Sequence, residues 1–402
     1  MSVYSSDYWK MPVLAQKFMG VWPFNNRQYD KCMRVFVYVA LYSLIVPIGI
    51  RLVEELGVNT AIAIENLVGQ MYLNAAVIKF SMTILFKEKH KQIYELIARD
   101  WKMTSDKEEL EIMEKHAAIG RTISLAYGIC CCSTAGAFLM IPTLLPLLDY
   151  VAPLDNSSRP VVLPYYAEYY IDQRKYYLPL MLKALVAGMI SMTVFITYDM
   201  AFAMCVQHVC SLFDIINLRL QRASQLGSQL GSQLGRSART SASYDSGVFR
   251  LIQKAIELHQ IVIENVSSLE NAYNLNWFFI LLLNTTAVGG ALLVVLLKLG
   301  HPEDLVRYGM FFAAIFIHKY FIFLPGQKII NYSLEVFEYS YSCEWYNLSA
   351  ECKVLIKIMM LRSIRPLNLT GGKMFLLCME TYSAMLKAGM SYFTVFASTQ
   401  SF

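Results

Sequence analysis

Six polar side chains recur through an otherwise apolar stretch at the end of the chain. They are Glu380, Ser383, Lys387, Ser391, Thr394 and Ser398, at spacings of three and four residues. At 100° per residue, all six fall within about 80° of one another on a helix. Such a stripe could line a water-filled path for ions. It could equally form hydrogen bonds between helices packed in one bundle, and the spacing alone leaves both interpretations open.

Lys387 makes the same question sharper, because its charge needs either water or a partner. If Ser398 marks the outer membrane interface, Lys387 lies about 16 Å deeper, close to the middle of the bilayer. A cation at that depth costs at least about 2.5–3.5 kcal/mol unless it meets water or a partner.

Enzymatic chemistry is not predicted. The chain has no HExxH, GxSxG or CxxC motif and no phosphate-binding glycine loop, and its six histidines form no metal-ligand spacing. The Cys130-Cys131-Cys132 triplet is interpreted as small packing residues within a membrane helix. We therefore expect no cofactor and no bound metal.

The composition indicates a polytopic membrane protein. The 402 residues are 56% hydrophobic and 16% charged, against roughly 25% charged residues in an average soluble domain. The mean hydropathy is +0.41, and the net charge of +5 is too small to suggest nucleic acid as a partner.

Seven stretches are long enough to cross the hydrocarbon core. They are Arg34–Ile50, Ala61–Phe86, Arg121–Ile141, Leu180–Met204, Tyr273–Lys298, Leu305–Leu324 and Lys373–Ser398. The predicted fold is an all-α membrane protein with seven transmembrane helices and a helical domain on the cytoplasmic side.

Charge and cysteine placement orient these helices. The proposed inner segments hold 25 Lys and Arg in about 179 residues, and the outer segments hold 6 in about 61, a modest positive-inside bias. Residues 1–30 lack the apolar core of a signal peptide, and none of the nine cysteines falls in an outer loop. We predict a cytoplasmic N-terminus and an extracellular C-terminus, which makes Asn156 the one sequon open to glycosylation.

Charged residues inside the spans receive separate interpretations. Lys79 and Lys319 lie within two turns of inner helix ends and Lys183 lies near an outer end, so we expect their ammonium groups to reach the interface. Asp199 is deeper and is expected to hold a buried hydrogen bond. His318 is interpreted as interfacial.

A tetrapeptide is written three times in the second inner loop, as SQLGSQLGSQLG from Ser224 to Gly235. Gly, Ser and Gln bury little apolar surface, so this insert is predicted to be a flexible linker. Amphipathic segments on both sides are predicted to continue the fourth and fifth spans into the cytoplasm.

Two segments resemble the C-terminal signature of insect odorant receptors. They are YGMFFAAIFIHKYFIFLPGQKIINYSLEVFEYSYSCEWY and SCEWYNLSAECKVLIKIMMLRSIRPLNLTGGKMFLLCMETYSAMLKAGMSYFTVF, and EYYIDQRKYYLPL resembles the receptors of ants, bees and wasps. The resemblance implies a ligand-gated, non-selective cation channel in the plasma membrane of an olfactory neuron dendrite. It implies four subunits around one pore, in which a tuning subunit pairs with the odorant receptor co-receptor (Orco). This chain lacks the co-receptor's long second inner loop and its ending, so it resembles a tuning subunit.

The same resemblance implies a division of the chain into functional parts. These are a cytoplasmic segment 1–33, a ligand-binding bundle 34–210, a cytoplasmic loop 211–272 with linker and anchor helices, helices five and six in 273–325, anchor helices in 326–372, and the pore helix with the extracellular C-terminus in 373–402.

The resemblance also places the ligand in the outer half of the membrane, among spans two to six. Residues that share helix faces at that depth are the candidate ligand contacts. They are Met71, Tyr72, Ala75, Ser133, Gly136, Met140, Met189, Met192, Tyr308, Phe311 and Phe312. Their mostly apolar character favours a small, uncharged, hydrophobic volatile.

The resemblance further implies a hydrophobic gate at Val395. Ser391, Val395 and Ser398 follow the i, i+4, i+7 pattern, so they line one face over about two turns. With Lys387 they are the candidate pore-lining residues. A ring of valines can stop ions by excluding water.

Three other classes of membrane protein compete with this interpretation. A gustatory receptor, from the same superfamily, ends with Thr-Tyr, five residues, then Gln-Phe, whereas seven residues separate Tyr392 from Gln400 here. A G-protein-coupled receptor has an outside N-terminus and an Asp-Arg-Tyr or Asn-Pro-x-x-Tyr signature. A transporter would show internal repeats among its spans.

Overall fold

The computed structural model describes residues 3–25, 27–151, 163–233, 238–298 and 302–399. It contains ten α-helices and one two-stranded hairpin within these ranges. The helices are α1 Lys10–Phe18, α2 Arg27–Glu55, α3 Thr60–Leu85, α4 Lys87–Met103, α5 Lys107–Val151, α6 Tyr177–Gln233, α7 Ala238–Leu297, α8 Pro302–Ser342, α9 Ala350–Ser363 and α10 Met379–Thr399. The strands are β1 Thr370–Gly371 and β2 Phe375–Leu376.

Six of the described helices are long and apolar enough to cross a membrane, namely α2, α3, α5, α6, α7 and α8. They contain the first six predicted spans except for the last residues of the second and fifth, Phe86 and Lys298. The seventh, α10, has 21 residues and therefore a length of about 31 Å, sufficient to cross. Its polar stripe, which includes Glu380 and Lys387, makes it less apolar than the other six.

The seventh span begins later than expected. We predicted a helix from Lys373, but α10 starts at Met379 because a hairpin precedes it, with Thr370 opposite Leu376. Gly372 and Lys373 in its turn have φ of +66° and +57°, which is left-handed backbone that a helix cannot contain. The hairpin is held on α7, where Gly372 N donates to the Asn274 carbonyl oxygen at 3.1 Å.

The repeated insert also differs from its prediction. The helix α6 continues through Gln233, so residues 224–233 are helical and only part of the insert is left to link α6 with α7. A four-residue period brings successive leucines to nearly one helix face. Leu226 packs against a cytoplasmic cluster around Leu348. This tertiary contact stabilises a helix that the Gly, Ser and Gln content of the insert does not favour.

Helices α6, α7 and α8 extend beyond the membrane and form the cytoplasmic domain with α4, α9 and the start of α5. Asp100 of α4 accepts hydrogen bonds from His208 Nε2 and Asn265 Nδ2, each at 3.1 Å. Burial alone would raise the pKa of Asp100, but these hydrogen bonds hold it below the usual range. Arg219 of α6 makes a bidentate pair with Glu109 of α5 at 2.7 and 2.9 Å.

Candidate ligand cavity and pore-facing helix

A mostly apolar cavity of about 150 Å³ lies among α3, α5, α6, α7 and α8, with α2 at its edge. Its lining comes from the segments 65–73, 127–139, 188–195, 284–294 and 308–318. With the N-terminus inside, each of these segments lies in the outer half of its helix. The cavity is therefore where a hydrophobic ligand would be held within the membrane.

Four of the candidate ligand contacts line this cavity, namely Tyr72, Met192, Tyr308 and Phe311. The Tyr72 ring stacks on Phe195 with 4.8 Å between ring centroids and meets Phe311 edge-on at 6.2 Å. The Tyr72 hydroxyl lies 3.4 Å from Ser191 Oγ. These rings pack against one another and form an aromatic wall from α3 through α6 to α8.

The candidates on α5 do not line the cavity. Ser133, Gly136 and Met140 are neighbours of the residues that do, which include Thr134, Ala135, Phe138 and Leu139. Ser133 and Met140 are exposed on the outer surface of the chain. Each step of one residue rotates a helix face by 100°, so a small error in register moves a side chain from the cavity to the lipid side.

Four further candidates lie beside the cavity rather than on its wall. Met71 contacts α7, where Thr286 Oγ1 lies 3.5 Å from its sulfur. Ala75 is buried in the core, and Phe312 packs against a small cluster that contains Val288 and part of the cavity wall. Met189 is exposed on the surface of α6.

The inner end of the cavity holds a buried charged cluster. Lys79 Nζ of α3 contacts Asp199 Oδ1 of α6 at 2.5 Å, and both side chains are at most 1% exposed. The Tyr127 hydroxyl donates to Asp199 Oδ2 at 2.7 Å and lies 2.7 Å from His318 Nδ1. Three aromatic rings surround the ammonium group, the nearest being Phe195 at 4.7 Å. The ion pair is thus satisfied within the protein, as a buried pair must be.

Three expectations from the sequence are corrected here. The Lys79 ammonium does not reach the interface, because Asp199 binds it inside the bundle. Lys319 is also fully buried, and its ammonium donates to Thr285 Oγ1 at 3.2 Å. His318 is not interfacial, because it lines the cavity.

Sequence reasoning also missed the polar part of the wall. Asn66 and Asn284 line the cavity, and the Nδ2 atom of each is buried without a hydrogen-bond partner among the described residues. Asn66 had a visible signal, because it interrupts an otherwise apolar span. A polar side chain in a membrane span has to face a partner or a cavity.

The polar stripe of α10 faces away from the rest of the chain. All six of its members are exposed: Glu380, Ser383, Lys387, Ser391, Thr394 and Ser398. On the opposite side, Gly389 is buried against α7, and a Cβ placed there would lie 2.9 Å from Val288 Cγ1. The stripe is therefore not satisfied within its own bundle, which was the alternative that the spacing left open.

Val395 lies at the edge of this free face and is 58% exposed. The hydroxyl of Ser398 donates to the Val395 carbonyl oxygen at 2.8 Å, so it is bonded to its own helix rather than to a neighbour. Ser391 and Lys387 lie on the same free face. Asn156 lies outside the described residues.

Comparison with known proteins agrees with this architecture. An odorant receptor coreceptor of Harpegnathos saltator is 25% identical over 144 residues, which are 35% of this chain and 29% of that protein. Odorant receptor 49a of Drosophila melanogaster is 24% identical over 94 residues, which are 23% of this chain and 24% of that protein. The chain thus spans less than a third of the length of the curated relatives it matches.

A solved structure shows the shared fold. The olfactory receptor OR5 from Machilis hrabei, in complex with eugenol, superposes with a TM-score of 0.76 at 14% sequence identity. The match covers 98% of this chain and 100% of that one. The family described as 7tm Odorant receptor matches residues 59–390, which is more than half of the chain. The chain therefore belongs to the odorant receptor family of seven-helix membrane proteins.

Proposed function

We propose that this chain is the ligand-binding subunit of a ligand-gated, non-selective cation channel. The cavity among α3, α5, α6, α7 and α8 carries the proposal, because it is apolar, lies in the outer half of the membrane and is the right size for a small volatile. An uncharged hydrophobic odorant or pheromone binds there by replacing water and filling the space beside Tyr72 and Phe311.

The ion path is built from several copies of α10. One copy presents Ser391, Lys387 and the rest of the stripe to open space, which costs free energy in lipid and none in a pore. Four helices arranged around an axis enclose these faces and bring Val395 of each subunit into one hydrophobic constriction. Opening widens that constriction and restores a path for water and cations.

A chain of contacts links the cavity to the pore helix. His318 lines the cavity, and the next residue, Lys319, donates to Thr285 of α7. A Cβ on Gly389 of α10 would lie 3.5 Å from the Thr285 carbonyl oxygen. A ligand that displaces α8 at His318 therefore acts on the turn of α7 that supports α10.

The partner is the odorant receptor co-receptor, in a heterotetramer. Val354, Ile358 and Leu361 of α9 follow i, i+4, i+7 and are all more than half exposed. An apolar stripe of this kind at the cytoplasmic end indicates a contact between subunits. The co-receptor is the natural occupant, because several relatives of this chain are co-receptors. The complex belongs in the plasma membrane of the olfactory neuron dendrite.

The test is whole-cell recording from cells that express this chain together with the co-receptor. A panel of uncharged volatiles is applied while G-protein signalling is blocked, and cells with the co-receptor alone are the control. We expect an inward cation current that needs this chain and reverses close to zero voltage. A response that disappears when G proteins are blocked would indicate a G-protein-coupled receptor instead.

A further inference from the structure

One hydrogen-bond acceptor at the inner end of the cavity has no partner within the part of the chain that the structure describes. His318 lines the cavity, and its Nε2 atom is buried without a hydrogen-bond partner among the described residues. Its ring is fixed by Tyr127, which stacks on it with 6.2 Å between centroids, and by Phe195, which meets it edge-on at 5.2 Å. Tilting the ring loses these contacts, and flipping it loses the hydrogen bond between Nδ1 and the Tyr127 hydroxyl.

The neighbouring hydrogen bonds determine where the ring proton lies. The Tyr127 hydroxyl has one hydrogen, which it donates to the Asp199 carboxylate at 2.7 Å. Its oxygen is then the acceptor toward His318 Nδ1 at 2.7 Å, so Nδ1 carries the proton. A second proton on the ring would place another cation near Lys79, and Lys79 already neutralises Asp199. Nε2 is thus a neutral lone pair.

From this geometry we infer that the ligand carries a hydroxyl group, on an alcohol or phenol with a hydrocarbon body, and that its O–H donates to His318 Nε2. The inference rests on the proposed function and adds the chemical class of the ligand. A buried acceptor left without a donor costs about 1–3 kcal/mol, whereas a donor restores the lost interaction. A hydrocarbon or an ether of the same shape leaves Nε2 unpaired.

Other polar atoms of the cavity wall also lack a partner among the described residues. They distinguish a ligand with a hydroxyl group from one with a carbonyl group. The Nδ2 atoms of Asn66 and Asn284 are donors, and the Tyr165 hydroxyl can donate or accept. An aldehyde or ketone could accept from an asparagine but could offer nothing to His318. Among hydroxyl, carbonyl and ether groups, only the hydroxyl both donates and accepts, so it suits both kinds of atom.

The first experiment uses ligands of equal heavy-atom count on the channel formed with the co-receptor. One series is 1-octanol, octanal, 1-methoxyheptane and nonane, and a second is the isomeric pair 4-propylphenol and 4-ethylanisole. We expect the hydroxyl member of each responding series to activate at about tenfold lower concentration than its ether, close to the free energy of one buried hydrogen bond. Equal sensitivity to ether and alcohol, or preference for the aldehyde, would overturn the inference.

The second experiment changes the acceptor. His318→Asn keeps an amide N–H near the position of Nδ1, so it can still donate to Tyr127, but it has nothing at Nε2. His318→Gln places its amide group near the position of Nε2 and is the matched control. The quantity compared is the activating concentration of the ether divided by that of the alcohol. We expect this ratio to fall toward one in His318→Asn and to remain above one in His318→Gln. An unchanged ratio in His318→Asn would refute the assignment.

Failure of the proposed function gives a different result from failure of the hydroxyl inference. In that case the wild-type chain and the co-receptor reach the cell surface together, but no volatile of any class produces a current. If ethers, aldehydes or hydrocarbons open the channel and hydroxylated ligands do not, the channel function stands and the hydroxyl inference falls. The wild-type ligand series gives this answer even if the His318 variants fail to fold.

Discussion

Gly289 of α7 and Gly389 of α10 are in direct backbone contact. A Cβ on Gly289 would lie 3.0 Å from the Gly389 carbonyl oxygen and 3.2 Å from Tyr392 Cβ. Small residues let two membrane helices approach this closely, and close packing is what associates helices in lipid. The helix α10 is therefore held directly against α7, which also forms a wall of the cavity.

The contact predicts that Gly289→Ala changes gating. The added methyl group meets backbone, which cannot move aside as a side chain can, so α10 has to shift. We expect the basal current or the half-maximal ligand concentration to change by at least about threefold, as for a shift near 0.7 kcal/mol. Whole-cell recording measures both. Gly309→Ala is the control, because a Cβ there meets nothing within 4 Å, and equal effects at both positions would contradict this prediction.

Gly69 offers a direct test of the cavity. It lines the cavity, and a Cβ there would meet nothing within 4 Å. Gly69→Leu should therefore fill the space that the ligand needs and lower sensitivity by at least about tenfold. Gly136→Leu is the matched control, since a Cβ there is equally unobstructed and Gly136 does not line the cavity. Dose–response curves, with surface labelling to check expression, distinguish occlusion from misfolding.

The buried pair Lys79–Asp199 is expected to be costly to break singly. Lys79→Met leaves a carboxylate uncompensated in the bundle, a loss of about 3–5 kcal/mol for a buried pair. The double variant with Asp199→Asn removes both charges and should recover much of that stability. Thermal unfolding of the detergent-solubilised protein measures the difference. A double variant no more stable than Lys79→Met would show that the two residues do not act as a pair.

Val395 is expected to set the closed state of the pore. Val395→Ser places a hydroxyl in the constriction, which weakens the exclusion of water and should raise the unstimulated current. The control is Val186→Ser, because Val186 on α6 is similarly exposed, at 54% against 58%. If Val186→Ser raises the leak current and Val395→Ser does not, the pore face has been assigned to the wrong residues.

The exposed stripe on α9 is expected to hold the subunits together. Leu361→Asp puts a charge into that contact, where its desolvation opposes association. We expect less co-receptor to co-purify with the variant while the chain itself remains folded. Met103→Asp is the control, because Met103 is also cytoplasmic and equally exposed, at 69%. Equal co-purification of both variants would place the subunit contact elsewhere.

The number, order and approximate position of the membrane helices could be predicted from the sequence, because apolar length is a local property. The rotation of α10 could be predicted as well, since its stripe follows a strict helical period. The hairpin before α10 could not be predicted in the same way. Its position depends on Asn274 of α7, almost a hundred residues away.

The cavity shows most clearly what could not be predicted from the sequence. On α5 the predicted face differs by one residue from the lining, and on α6 Met192 lines the cavity but Met189 does not. No local signal corrects such an error. The partner of Lys79 lies 120 residues away in the sequence, so position along the helix suggested the interface instead. Asp199 was expected to hold a buried hydrogen bond, but its role as a counter-ion appears only when α3 and α6 are brought together.

Because residues 224–233 of the repeated insert are helical, a change in the number of its repeats changes the length of α6. Because α6 runs through Gln233, one more or one fewer copy of Ser-Gln-Leu-Gly changes the helix length by about 6 Å and its rotation by about 40°. Neither change reaches the membrane-spanning part of α6, which lies earlier in the chain. A whole-repeat change beyond Leu226 would also leave the contact of Leu226 with the cluster around Leu348 in place.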